Sequence, residues 1–248
     1  ATAFRARARG DRIGVRTWGR WVRVRVARAG AIPSRGYCNG VSDFRPTRLS
    51  DLRDALARTD VDALLVTSLP NVRYLTGFSG SNALLIVTAK ASVLFTDFRY
   101  AVQVEDEVAS PTTVQIEASS LWTGLFATLG TMVGVDRVGF ETAHILHRDF
   151  QRLLEQGTRW HWRPTTDLVE PLRVRKDAGE IAWIERAVAI AEHALAATLP
   201  SVRIGMTETQ VAGVLEHHLR DAGAEDFPFA SIVATGARSA LPHARVGP

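Results

Sequence analysis

From Thr47 onward the chain alternates two kinds of apolar spacing. Leu49, Leu52, Ala55 and Leu56 recur at helical intervals and predict a helix with one buried face. Val61 to Thr67 is a short apolar run bounded by Asp60 and by Pro70-Asn71, which predicts a buried strand. Ala83 to Thr88 and Ser92 to Thr96 read as two more strands, and the short Ala89-Lys90-Ala91 link makes them a hairpin. Asp97 is placed to cap a helix through Val108, with Ala101, Val104 and Val108 facing inward.

The alternation continues with a strand over 112–117, a helix over 119–129 and a strand over 137–141. A helix over 143–156 carries Leu146, Phe150, Leu153 and Leu154, and a short strand follows over 160–163. Strands alternating with helices predict a layered α/β domain with a mixed sheet. Pro164 and Pro171 flank a boundary over 166–172. A long helix follows from Asp177 to Thr198, with Ile181, Ile184, Val188, Ala191 and Leu195 on one face, ended by Pro200. Thr207 and Gln210 have the spacing of a capping box, in which two side chains satisfy opposite backbone donors. That helix presents Val211, Val214, Leu215 and Leu219 and closes at Gly223; Ile232 to Ala234 reads as a strand.

Residues 1–46 break the pattern. They hold eleven Arg and two Asp, a net +9, which leaves −5 on the remainder of a chain whose formal charge is +4. The basic character therefore belongs to one stretch, and no nucleic-acid partner is inferred for the whole. Trp18 to Val26 alternates Val with Arg, as an exposed strand would, with no partner strand evident. Three readings stay open: a disordered extension or misplaced gene start, a basic patch for acidic lipid or nucleic acid, or an Arg-rich targeting segment.

Hydrophobic residues at 46% and charged residues at 23% are ordinary for a globular chain. There is no run of about 18 apolar residues, so no membrane span is expected. Cys38 is the single cysteine, which excludes an internal disulfide and fits a reducing, cytoplasmic setting. The chain starts at Ala1 and stops at Arg245-Val246-Gly247-Pro248 without an element terminus, so both ends read as cut.

Most catalytic motifs are absent: no HExxH, GxGxxG, phosphate-binding loop or GxSxG occurs. Gly77-Phe78-Ser79-Gly80-Ser81 lacks the final glycine of a nucleophile elbow and reads as a tight loop. His217 and His218 are helical neighbours that point about 100° apart and cannot share a metal. His144, His147, His161 and His193 have no carboxylate or histidine at ligand spacing and read as structural or exposed.

Several segments together carry a resemblance. Asn71-Val72-Arg73-Tyr74-Leu75-Thr76-Gly77-Phe78-Ser79-Gly80-Ser81 resembles an N-x-x-Y-L-T-G-F-x-G-S stretch, and Thr96-Asp97-Phe98-Arg99-Tyr100 resembles T-D-x-R-Y. Val138-Gly139-Phe140-Glu141 resembles V-G-F-E, and Arg173 to Ile181 resembles R-x-x-K-x-x-x-E-I. Gly205-Met206-Thr207-Glu208 resembles G-x-T-E, and Ile232 to Gly236 with Pro242-His243-Ala244 resembles I-V-A-x-G followed by P-H-A. Each is weak alone; in this order they resemble Xaa-Pro aminopeptidases and the related Xaa-Pro dipeptidases.

The resemblance implies a creatinase-like N-terminal α/β domain over 47–170, after an Arg-rich extension over 1–46. The truncated start of a pita-bread metallopeptidase domain would follow over 171–248. It implies a peptide substrate with proline at the second position, and commonly a homo-oligomer, with no nucleic-acid or membrane partner. It also implies two divalent ions, often manganese, that lower the pKa of a bridging water and polarise the scissile carbonyl. His243 matches a histidine that orients the substrate or stabilises the transition state and does not hold the metal pair. The family's metal ligands, two Asp, one His and two Glu, follow the P-H-A segment, and the five residues after His243 include none of these types. The expectation is an Xaa-Pro aminopeptidase-like chain that is inactive alone, with poor solubility from the apolar faces of its last two helices. The alternatives are a non-catalytic binding or oligomerisation module and a creatinase-like relative that cleaves a different C–N bond.

Overall fold

The computed structural model describes residues 12–17, 20–25 and 43–247. Strands β1 (Arg12–Thr17) and β2 (Arg20–Arg25) pair antiparallel, Ile13 opposite Val24. The alternating Val and Arg run thus has a partner strand that the sequence did not reveal. The expected disorder of the remaining residues before Asp43 lies outside the described residues, as does Cys38. The chain divides into two compact units, residues 42–179 and residues 1–41 with 180–248.

The first unit is built on α1 (Arg45–Leu56), β3 (Ala63–Val66), α2 (Leu69–Thr76), β4 (Ala83–Thr88), β5 (Ser92–Asp97) and α3 (Gln103–Glu107). It continues with β6 (Thr112–Glu117), α4 (Leu121–Thr131), β7 (Arg137–Glu141), α5 (His147–Gln156), β8 (His161–Thr165) and α6 (Glu170–Val174). Six strands form one sheet in the order β6-β5-β4-β3-β7-β8. β4 is antiparallel to β3 and β5, and the other pairings are parallel. The short Ala89-Lys90-Ala91 link makes β4 and β5 the expected hairpin.

β3 and β4 are buried throughout, which is why they read as unbroken apolar runs rather than alternating ones. Alternate residues serve opposite faces. Leu64, Val66, Leu85, Val87 and Leu94 pack with α1 and α2 through Leu49, Leu52, Leu56, Val72 and Leu75. Ala63, Leu65, Leu84, Ile86, Val93 and Phe95 pack with Leu121, Leu125 and Leu129 of α4 and Leu153 of α5. Each fully buried leucine contributes roughly 2 kcal/mol by transfer alone. Pro164 sits in β8, at the sheet edge, where a missing N–H breaks no ladder.

Four expectations need correction. A helix occupies 69–76, where only a strand boundary was anticipated, because Pro70 stands in its first turn, the one helical position that tolerates proline. The helix expected from Asp97 to Val108 is a 3-10 turn, Phe98–Tyr100, followed by the short α3, with Val104 alone buried in them. In α5 only Leu153 is buried, while Leu146 and Leu154 are exposed. Residues 232–234 form no strand, since they pair with no ladder among the described residues. Leu168, Val169 and Leu172 pack on the core of the first unit.

The second unit carries α7 (Ala178–Thr198) and α8 (Glu208–Asp221). The capping box of α8 is complete, with Gln210 N–H donating to Thr207 Oγ1 and Thr207 N–H donating to Gln210 Oε1. On α7, Ile181, Ile184, Val188 and Leu195 are each about half exposed (46–51%), the apolar surface expected of this segment. Among the described residues, no helix is long and apolar enough to cross a membrane.

Candidate functional site

His243 lies in the segment after α8, within a turn that follows Pro242, and its side chain is exposed. It makes no hydrogen bond or ion pair among the described residues, so the backbone alone directs it. The backbone of this segment is tied to Glu208, the first residue of α8. Glu208 Oε1 accepts from Thr235 N–H at 2.9 Å and Oε2 accepts from Gly247 N–H at 2.8 Å. The Thr235 amide is the largest influence on the Glu208 carboxyl and lowers it; burial opposes this, and the Gly247 amide and the Arg238 guanidinium add to the lowering, which leaves the group below its ordinary value.

A metal pair needs several oxygen or nitrogen donors converging on one point. Among the described residues no three His, Cys, Asp or Glu side chains do so. His144, read as structural or exposed, and His218, read as solvent-facing, each find a partner. His144 Nε2 lies 3.1 Å from Glu170 Oε1, and His218 Nδ1 lies 3.0 Å from the buried Thr198 hydroxyl. His217 stays on the surface beside Asp221 at 3.2 Å.

Three of the motif segments meet in the first unit. Glu141, at the carboxyl end of β7, is buried and accepts from Thr67 N–H at 2.6 Å, Ser68 N–H at 2.8 Å and Asn71 Nδ2 at 2.7 Å. These donors surround the start of α2, where amides and helix dipole favour an anion. Asn71, fully buried, also donates to Glu170 Oε1 at 2.6 Å and accepts from Arg173 Nη1 at 2.8 Å. Tyr74 O–H donates to the Leu172 carbonyl, Arg48 lies over the Tyr74 ring at 4.5 Å, and Arg48 Nε donates to Asp177 at 2.9 Å. Burial raises the Glu170 carboxyl, and its bonds from Asn71 and His144 more than offset that, leaving it lowered. The arrangement fastens residues 168–177 to the sheet.

The other motif pair forms a surface cluster. Asp97 accepts from Arg99 N–H, caps the 3-10 turn, and holds the Arg99 guanidinium through two bonds of 2.8 Å; Asn82 adds a third at 2.6 Å. These partners, Arg99 first, keep the Asp97 carboxyl well below the usual carboxylate range. Tyr100 O–H and Ser81 Oγ are 2.7 Å apart. Gly77 ends α2 with φ of +86°, and a Cβ there would lie 2.8 Å from the Glu107 carbonyl oxygen. Beside this cluster, outside the carboxyl ends of the parallel strands, opens a crevice of about 730 Å³ lined in part by Asp97, Arg99, Glu117, Trp122 and Arg152. Open α/β sheets place ligand crevices at this end.

Sequence reasoning singled out His243 and the motif segments; it gave no partner to Glu170 or His144, nor any role to Glu208. Their partners lie 26 to 99 residues away along the chain, and only the fold brings them together.

Comparison with known proteins follows the same division. Residues 48–175 match the Creatinase/Prolidase N-terminal domain, and residues 182–248 match metallopeptidase family M24. An uncharacterized peptidase of Bacillus subtilis is 33% identical over 196 residues, which cover 79% of this chain and 55% of that protein. The Xaa-Pro dipeptidase from Bacillus anthracis superposes with a TM-score of 0.75 at 28% identity, over 82% of this chain and 56% of that one. An X-Pro aminopeptidase from Thermotoga maritima superposes with a TM-score of 0.72 at 30% identity, over 78% and 56%. The chain spans about half the length of the relatives it matches.

Proposed function

The chain belongs to the creatinase/prolidase N-terminal domain family, with a following segment of the M24 metallopeptidase kind, and from that premise we propose that it serves an Xaa-Pro peptidase. The reaction is hydrolysis of the peptide bond that precedes a proline in second position. One observation carries this reading: solved enzymes described as Xaa-Pro dipeptidase and X-Pro aminopeptidase share the fold over about 80% of the chain, and the metallopeptidase family M24 match, over residues 182–248, takes in His243.

In this reading residues 47–170 are the creatinase-like domain and residues 171–248 begin the catalytic domain. His243, exposed on its loop, orients the substrate. Two divalent cations, often manganese, complete the site, and their donors lie outside the described residues. The 248-residue chain alone is therefore inactive. The N-terminal domain supplies contacts for a homo-oligomer, and the protein works in the cytoplasm.

The test is to read and express the coding sequence past Pro248. An open frame supplying Asp, Asp, His, Glu and Glu in order, and a product that cleaves Ala-Pro peptides with added manganese, support the reading. Loss of most of that turnover in His243→Ala places the histidine at the substrate. A frame that closes, or a product inert on Xaa-Pro peptides, overturns it in favour of a binding module.

A further inference from the structure

Glu208 is a charged side chain in an odd place. It is 5% exposed, yet the helix it begins is already capped by Thr207 and Gln210. Its carboxylate is thus not needed at the helix start. Both its oxygens turn instead to donors 27 to 39 residues further along the chain. Oε1 takes the amide of Thr235, Oε2 takes the amide of Gly247, and Arg238 Nε reaches the two oxygens at 3.2 and 3.1 Å. Thr209 reinforces the closure, its N–H and Oγ1 both donating to the Gly247 carbonyl, at 3.2 and 2.9 Å. A second nitrogen of Arg238 donates to the Arg245 carbonyl.

The result is a loop from Thr235 to Gly247 pinned at its base by one carboxylate. Ala244 is buried inside it, and His243 projects outward without a side-chain partner. A group aimed by backbone alone is only as well placed as the loop that bears it, and small displacements of a substrate-orienting group cost large factors in rate. A buried carboxylate without donors is costly, so carboxylate and loop order each other.

We propose that Glu208 is the positioning residue for His243: it closes the 235–247 loop and thereby fixes where the imidazole stands. The inference rests on the reading of His243 as a substrate-orienting group, but its structural half is testable without catalysis.

The experiment is NMR of the intact 248-residue chain and its variants. In Glu208→Ala, the amides of Thr235 and Gly247 should exchange about 10- to 100-fold faster, the range for losing a hydrogen bond to a charged acceptor. The His243 ring signal should move to the position of an unstructured histidine, while the amides of Leu65 and Ile86 in the sheet keep wild-type protection. Glu208→Asp keeps the charge and should restore part of both effects. Where Glu208→Ala does not fold, Arg238→Met serves, and should speed Gly247 exchange in a folded chain. Unchanged loop exchange and an unmoved His243 signal in Glu208→Ala, or in Arg238→Met in its place, overturn the proposal. His243→Ala should leave the loop amides protected. A failure of the substrate reading therefore appears in peptide turnover, and a failure of the staple appears in exchange.

Discussion

Removing the Asn71 side chain should loosen the attachment of residues 168–177 to the sheet. In Asn71→Ala, Glu141 and Glu170 each lose a donor and Arg173 loses its acceptor. Hydrogen bonds with a charged partner contribute about 1.5–3 kcal/mol each. The three are not additive, because Glu141 keeps the Thr67 and Ser68 amides and Glu170 keeps His144. A loss of about 3 kcal/mol is expected. Asn71→Asp should cost more, since it keeps the shape but places a third carboxylate between two others. Urea unfolding followed by tryptophan fluorescence measures both, because Trp122, Trp160 and Trp162 lie in this unit. The midpoint should fall with the slope unchanged. A change below about 0.5 kcal/mol in both variants, the range of a neutral surface substitution, would refute the role assigned to Asn71.

Further outcomes follow from single groups. Asp62 is lowered from 3.8 to about 2, chiefly by the Arg137 side chain. Its stabilisation is present above about pH 4 and disappears as pH falls toward 2; Asp62→Asn should therefore be less stable at neutral pH and should converge with wild type near pH 2, and a gap independent of pH would contradict this. Gly77→Ala should destabilise by about 1–2 kcal/mol through its left-handed backbone, and more through the Glu107 contact; an unchanged unfolding midpoint would contradict it. The exposed stripe on α7 should bind an apolar dye, and Ile184→Glu with Val188→Glu should reduce that signal without lowering stability. A wild-type chain that binds no dye speaks against the exposed face.

Much of the fold was legible because the sheet is buried on both sides, so β3, β4 and β5 stand out as apolar runs and their turns as polar breaks. The capping box at Thr207 was legible for a similar reason, since its physics spans only four residues. Pro70 misled because proline both ends strands and opens helices, and the choice depends on Val72 and Leu75 finding the core. The strand Arg20–Arg25 lacked a visible partner in the sequence because pairing is a property of two segments. Asn71, Glu141 and Arg173 were recognisable as motif residues. Their shared purpose was not, because the bonds that join them span 70 to 102 residues. Glu208 was hidden likewise: a glutamate at a helix start needs no other explanation until its acceptors are seen to serve Thr235 and Gly247.

The proposed reading makes this chain the part of an Xaa-Pro peptidase that bears His243, with the metal donors supplied from elsewhere. Dialysing the 248-residue chain against manganese, counting bound metal, and assaying the same sample on Ala-Pro tests it in one measurement. The account predicts no stoichiometric manganese and turnover at the level of the blank. Two tightly bound ions per chain, with turnover above blank, would contradict it.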